Sequence, residues 1–354
     1  MPTRRKSLLT WGVLAVAVVV LAVAAVAAVR WWREGQRSEL QRAVAMAPHE
    51  AEQLSWTDWA GVREELGLDL GDDPGDDEID DMMNRGFDRD LTQTTALAGS
   101  AASMQTMLGF SPATAEWELF SQAEKGAVVM VRLAESSDVE SVADHLVRAG
   151  YDEPDDEDGV WAGGREALVT GGLTPELAYV ALDEDRRLVL GSDSPGYLET
   201  ALKDVRDEDG PDGLDDVVEA SDDPLAAAIY TGDHACAKLA MSQADPADQD
   251  QASALLAEAG DVDPLTAFAI SVRPGGDVRV AMGFESDDKA RTNADTRARL
   301  ASGPAPGEGG DYADFFELGD VTADGSTVTM ELEPVEGSYA FSALKDGPVL
   351  FATC

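Results

Sequence analysis

The sequence predicts an α+β protein: an N-terminal transmembrane helix followed by two ferredoxin-like βαββαβ subdomains, read as a duplication. Three observations carry this. The stretch Leu8 to Val29 is apolar and uncharged. Beyond it, short alternating segments interleave with segments of helical period. The order strand, helix, hairpin, helix, strand then occurs twice, which is the split βαβ arrangement.

At about 1.5 Å per residue, the segment from Leu8 to Val29 reaches about 33 Å, enough to cross a hydrocarbon core of about 30 Å. Lipid offers no partner for backbone amides, so such a segment must be helical. Trp11 and Trp31-Trp32 sit where aromatic rings favour the interface. The apolar run is longer than a cleaved signal's and Arg30 follows at once, so it reads as a signal anchor. Arg4, Arg5 and Lys6 precede it without an acid, which favours a cytoplasmic N-terminus and an extracytoplasmic body, although Arg30, Arg33, Arg37 and Arg42 follow. The expected organisation is 1–33 tail and membrane helix, 34–48 helical stalk, 49–206 first subdomain, 207–223 acidic linker and 224–354 second subdomain.

In the first unit Gln53 to Trp56 reads as a strand, and Thr57-Asp58 caps a helix closed by Gly67. Asp69 to Asp90 is dense in acids and reads as a solvated loop. A helix is expected over 91–108. Strands at 116–120 and 127–133 form a hairpin. Ser137-Asp138 caps a helix over 139–149, and 159–162 returns as a strand. A second hairpin, 178–191, extends this sheet and leads into a helix over 195–205.

The second unit opens with a strand at 226–230. Gly232-Asp233 caps a helix through Met241, and another helix runs over 249–259. Strands 265–272 and 277–284 turn at Pro274-Gly275-Gly276. Ser286-Asp287 caps a helix over 288–300, and 328–332 closes the unit. Trp56-Thr57-Asp58-Trp59-Ala60 matches Tyr230-Thr231-Gly232-Asp233-His234-Ala235 in place.

The chain carries 26 basic and 69 acidic side chains, a formal charge of −43. A field of that sign repels nucleic acid and anionic lipid surfaces, so nucleic acid is excluded as a partner. The two cysteines, Cys236 and Cys354, read as one disulfide of an exported domain. The rival, a Cys236 nucleophile served by His234, fails because residues two apart do not face each other on a helix. The acidic surroundings would also raise a thiol pKa.

No catalytic residue and no cofactor is expected. His49, His145 and His234 are scattered, and no zinc spacing, phosphate loop or GxSxG elbow occurs. Ser342-Ala343-Leu344-Lys345 matches Ser-x-x-Lys but lacks that pattern's companion motifs. Asp155 to Gly159 and Glu208 to Glu219 are near misses to a calcium loop. The metal candidates are Asp72, Asp73, Asp76, Asp77, Asp80 and Asp81, as a weak Ca²⁺ site.

Trp56-Thr57-Asp58-Trp59-Ala60-Gly61-Val62-Arg63, Phe110-Ser111-Pro112-Ala113-Thr114-Ala115-Glu116-Trp117, Gly159-Val160-Trp161 and Leu350-Phe351-Ala352-Thr353-Cys354 resemble a group of actinobacterial single-pass envelope proteins without an assigned activity. The resemblance covers nearly all of 47–354. It implies a cell-envelope location and an ancillary role, and it carries over no catalytic residue. The expected function is a non-catalytic binding or scaffold protein of the envelope. Its partners would be the membrane through a single span, and an envelope protein or cell-wall polymer. The alternatives are an enzyme of unrecognised type acting on a cell-wall or secreted substrate, and a divalent-cation responsive element.

Overall fold

Leu54 and Trp56 point to one side of the strand Gln53–Asp58 (β1), while Ser55 and Thr57 point to the other, and all four are buried. A strand buried on both faces must be paired on both edges and covered on both sides. β1 meets both conditions. In the computed structural model, which describes residues 37–156, 159–163, 168, 171–208 and 210–354, it lies at the middle of one twelve-stranded sheet.

On one edge β1 pairs antiparallel with Ala115–Ala123 (β2), Trp56 opposite Leu119. On the other it pairs antiparallel with Ala226–Thr231 (β8), Leu54 opposite Ile229 and Trp56 opposite Ala227. From β2 the sheet continues through Gly126–Leu133 (β3), Leu188–Ser192 (β7), Tyr179–Asp183 (β6), Trp161–Gly163 (β5) and Tyr151–Asp152 (β4). From β8 it continues through Ala267–Val272 (β9), Val278–Gly283 (β10), Thr327–Pro334 (β12) and Phe316–Asp324 (β11). Every pairing is antiparallel.

This corrects the expectation of two ferredoxin-like subdomains. A split βαβ leaves a strand between the two it connects. Here β1 hydrogen-bonds straight to β2, and β8 to β9, with no strand inserted. The period of a strand shows which side chains are buried, not which strand lies alongside, so the pairing was not readable.

Helices cover both faces. Over the first lie Trp59–Glu65 (α2), Asp76–Asp88 (α3), Ala101–Leu108 (α4), Val139–Ala149 (α5), Gly232–Lys238 (α8), Pro246–Ala259 (α9), Asp287–Leu300 (α10) and Ala340–Asp346 (α11), each contributing to one apolar core. Over the second lie Glu39–Ala45 (α1), Pro195–Asp207 (α6) and Asp215–Ala220 (α7). The strand residues beneath α7 are Ala267, Ala269 and Ala281, small enough for this short helix to sit close. α1 starts at a full capping box on Ser38 and lays Leu40, Ala43 and Val44 on this second core.

Residues 76–88, read from sequence as loop, are helical. Ile79, Met82 and Gly86 repeat at spacings of three and four and are buried, and Asp76, Asp77 and Glu78 complement the dipole in the first turn. The helix expected over 91–108 forms only from residue 98 onward. Thr94 and Thr95 spend their hydroxyls on Trp56 O and on Glu118 instead, and such bonds compete with a helical ladder.

The membrane-spanning helix expected over Leu8 to Val29, and the single-pass localisation built on it, are also corrected. Among the described residues no helix is long and apolar enough to cross a membrane. Residues 8–29 themselves lie outside the described residues.

Two buried charges pin this architecture. Glu118 on β2 is 1 % exposed, and its carboxylate accepts from Trp59 Nε1 at 3.1 Å, Thr95 Oγ1 at 2.6 Å and the Ala96 N–H at 2.8 Å. Burial outweighs these three donors and pushes its pKa up to about 7. Arg297 on α10 is fully buried and donates to the carbonyls of Phe351 (2.8 Å), Thr353 and Asp263 (2.7 Å). Desolvation lowers its pKa to about 10. The same C-terminal segment is held by the Cys236–Cys354 disulfide, Cα atoms 5.4 Å apart, which closes a loop 118 residues long.

Opening that disulfide with Cys236→Ser and Cys354→Ser is expected to cost about 2–5 kcal/mol in urea unfolding. Because the folded pKa of Glu118 lies above its unfolded value, its stabilising contribution is full below about pH 4.5 and is lost as pH rises through about 7. The stability of the wild type relative to Glu118→Gln should therefore fall between pH 4.5 and 8, by on the order of 3 kcal/mol. Denaturation curves of both proteins across that range measure it, and a flat difference would mean an ordinary carboxylate.

Candidate docking groove

Where the two halves of the sheet meet on the first face, three turns approach one another. The first is the end of α3. Asp90 follows it at φ 61°, a left-handed conformation normally left to glycine or asparagine. The conformation lets the Leu91 N–H return to Gly86 O at 2.9 Å. It also presents the Asp90 carboxylate to the second half, where it accepts from the Ser342 N–H at 3.1 Å and from the Ser342 hydroxyl. Burial raises the pKa of Asp90, and the Ser342 hydrogen bonds oppose that rise.

The second turn is Pro274-Gly275-Gly276 between β9 and β10, with both glycines at φ 94°. Glu65 of α2 accepts the Gly275 N–H at 3.2 Å. The third turn, Val335 to Tyr339, leaves β12 and enters α11, and Gly337 takes φ 82°. Together they enclose a groove of about 590 Å³, whose apolar lining is Leu91, Val272, Val278, Val335 and Tyr339.

The groove is unusual for what it exposes. Four large apolar side chains of the described residues are exposed, and three belong here: Phe87 at 52 %, Val335 at 42 % and Tyr339 at 42 %. Phe87 and Tyr339 lie against each other across the two halves, ring centroids 6.0 Å apart. Around them stand Glu65, Asp88 and Glu336. Arg89 is occupied by the Glu65 carbonyl at 3.1 Å and carboxylate at 3.3 Å.

The residues singled out from sequence lie elsewhere or do other work. Ser342 gives its hydroxyl to Asp90, while the Lys345 ammonium is taken by Asp346, so the pair is not arranged as nucleophile and base. The aspartates proposed for Ca²⁺ are strung along an exposed segment. Asp72 accepts from Ser136 Oγ at 2.9 Å, Asp81 pairs with Arg85 at 3.4 Å, and Asp73, Asp76, Asp77 and Asp80 face solvent. Among the described residues no group of three His, Cys, Asp or Glu side chains could hold a metal ion. His49 is near Gly210, His145 bonds back to Ser141 O on α5, and His234 faces Glu52 at 3.8 Å. The groove itself was not found from sequence. The one available signal was Met82-Met83 and Phe87 in an otherwise acidic stretch.

No protein-family model and no curated protein matches the chain. Among solved structures it is similar to crystal form I of TP0453, at 8 % identity and a TM-score of 0.42, over 85 % of this chain and 96 % of that one. Crystal form III of TP0453 gives 9 % identity and 0.41, over 85 % and 95 %. A likeness this loose carries no information about ligand or activity.

If the Asp90 carboxylate ties the halves together, Asp90→Ala should be less stable than Asp90→Gly by about 1 kcal/mol. Both lose the Ser342 bonds, but only alanine keeps a Cβ in the left-handed conformation. Both should fall below the wild type by about 1–3 kcal/mol in urea unfolding.

Proposed function

We propose that the protein is a non-catalytic binding protein of an oxidising, extracytoplasmic compartment, and that it docks a partner segment in the groove between its two halves. The observation that carries this reading is the joint exposure of Phe87, Val335 and Tyr339 beside a concave apolar surface. Exposed apolar clusters rimmed by polar groups mark interaction sites, and grooves between structural halves are favoured places for them. The acidic rim selects a segment that combines apolar anchors with lysine or arginine. Support for the compartment comes from the Cys236–Cys354 disulfide, since such bonds persist where thiols are not kept reduced. The same compartment is implied by the resemblance to actinobacterial envelope proteins.

Strand addition at the sheet edges is disfavoured as the binding mode. β11, at one edge, carries a bulge between Leu318 and Val321 and exposes Glu317, Asp320 and Asp324. β4, at the other, is two residues long. Charges, bulges and short strands are the means by which edges resist pairing.

A fluorescently labelled peptide of alternating lysine and leucine, titrated at physiological salt, tests the groove. Phe87→Ser with Tyr339→Ser leaves the net charge unchanged and should weaken binding at least tenfold. Equal affinity for variant and wild type would assign the binding to the general acidic field and overturn the groove.

A further inference from the structure

In a chain of net charge −43, arginines gather at one concave place on the second face. Arg37, Arg42, Arg132 and Arg186 line a cleft of about 520 Å³ with Trp117, against only Glu39 and Glu208 among acids. They come from separate parts of the fold: Arg42 from α1, Arg132 from β3 and Arg186 from the turn between β6 and β7. An adjoining depression of about 490 Å³ shares Trp117, Arg132 and Glu39, adds Arg187 from the same turn, and carries the carboxylates of Asp58, Glu116 and Glu135.

Most of these guanidinium groups are occupied. Arg42 pairs with Glu39, and Glu39 also accepts the Trp117 indole N–H at 3.2 Å. Arg186 pairs with Asp183 at 3.1 Å and lies 3.8 Å from Glu208. Among the described residues Arg187 has one distant ion contact, 3.9 Å, with the well-exposed Glu135. Arg132 differs. It is half-buried, and among the described residues its side chain has no hydrogen bond or ion pair; burial first, then the like charges of Arg187 and Arg42, lower its pKa against the opposing pull of Glu39 and Glu116. A half-buried guanidinium left without an anion, among other guanidinium groups, is an incomplete arrangement.

The backbone gives an independent sign. Arg187 ends the turn Glu184–Arg187 at φ 52°. Its carbonyl accepts the Leu133 N–H at 2.9 Å, which fixes it beside the strand that carries Arg132. Glycine or asparagine would adopt that conformation with less strain, and strain of this kind gathers at functional positions. What arginine adds there is a second positive fork beside Arg132.

We propose that this cleft binds a dianionic phosphate group carried by a small molecule. Arg42 is matched by Glu39, and Arg186 by Asp183 and Glu208, which leaves Arg37 and Arg132 without an ion pair among the described residues, two positive charges for a dianion to meet. Planar guanidinium forks from different elements suit a tetrahedral oxyanion better than a single point charge does. A long polyanion is disfavoured because the rest of the surface repels it. The site is separate from the docking groove and does not depend on it.

Calorimetric titration of the full chain at pH 8 with inorganic phosphate and, separately, with glycerol phosphate tests this. Saturable one-to-one binding of either is expected, the preferred probe telling free phosphate from phosphomonoester. Binding should weaken at least tenfold in Arg132→Gln and less in Arg132→Lys, which keeps the charge but not the fork. Arg187→Gly should raise the melting temperature while weakening binding, a pair of opposite changes that a purely structural role would not produce. Should Arg132→Gln fail to fold, the exposed Arg42→Gln is expected to weaken binding as well. Absence of saturation, equal affinity in the arginine variants, or equally tight binding of succinate would overturn the proposal.

Discussion

The pairing of β1 with β8 is the constraint from which the rest of the molecule follows. Five residue pairs, from Gln53↔Tyr230 to Thr57↔Ala226, join segments 169 to 177 residues apart. Had either strand stayed at an edge, its fully buried row of backbone groups would have lacked partners. Antiparallel pairing at this seam fixes the strand order outward on both sides. It reads β1-β2-β3-β7-β6 in one direction and β8-β9-β10-β12-β11 in the other. The first core then runs uninterrupted beneath helices of both halves. The chain elements that bridge the seam on this face are the ones that create the groove: Asp90 bonded to Ser342, Glu65 bonded to Gly275, and Phe87 against Tyr339.

The second face shows how side-chain size sets helix placement. Next to the seam, Trp56 and Trp117 fill the interval between sheet and helix, ring centroids 5.4 Å apart. Farther along, the alanines of β9 and β10 leave little height, and only the six-residue α7 fits above them. The same large residue that fills the core near the seam also forms the floor of the arginine cleft, where Glu39 of α1 accepts the Trp117 indole N–H. Packing and the candidate anion site thus share one side chain.

Much of the local structure was legible. The hairpins at β2–β3, β6–β7 and β9–β10, the helix Val139–Ala149 between the Asp138 cap and Gly150, and the α10 cap at Ser286 all follow from period and capping chemistry. The disulfide followed from a count of two cysteines. Elements failed where composition hid the pattern. Acids masked the buried stripe Ile79, Met82 and Gly86 of α3. Gly319 and Asp320 broke the alternation of β11 at its bulge. The global pairing was not legible at all, because register across 170 residues depends on which faces need covering, and a single sequence states only that they do. The groove is a product of that pairing, and beyond Phe87 in its acidic stretch nothing in the sequence announced it.

The use of arginine ties these points together. With 69 acidic side chains in the chain, a guanidinium has no shortage of carboxylates, yet several arginines bind carbonyls. Arg63 holds Pro112 O at 3.1 Å and Ala115 O at 2.8 Å, Arg279 holds Ala220 O at 3.0 Å, and Arg85, Arg297 and Arg299 hold Leu66, Phe351 and Ala259. Helix ends and loops leave carbonyls that water cannot reach once the sheet is covered, and a multi-pronged cation satisfies several of them at once. Surface carboxylates, by contrast, are well hydrated, and pairing with them contributes little. Arginine in this fold therefore serves in part as a clamp on backbone that would otherwise be unsatisfied, and in part, as in Arg279 to Glu331 at 2.7 Å, as a partner for carboxylates. Arg132 belongs to neither group: among the described residues its half-buried guanidinium holds no carbonyl and no carboxylate, although both are plentiful. A half-buried guanidinium that finds neither kind of acceptor within the fold is suited to an acceptor supplied from outside.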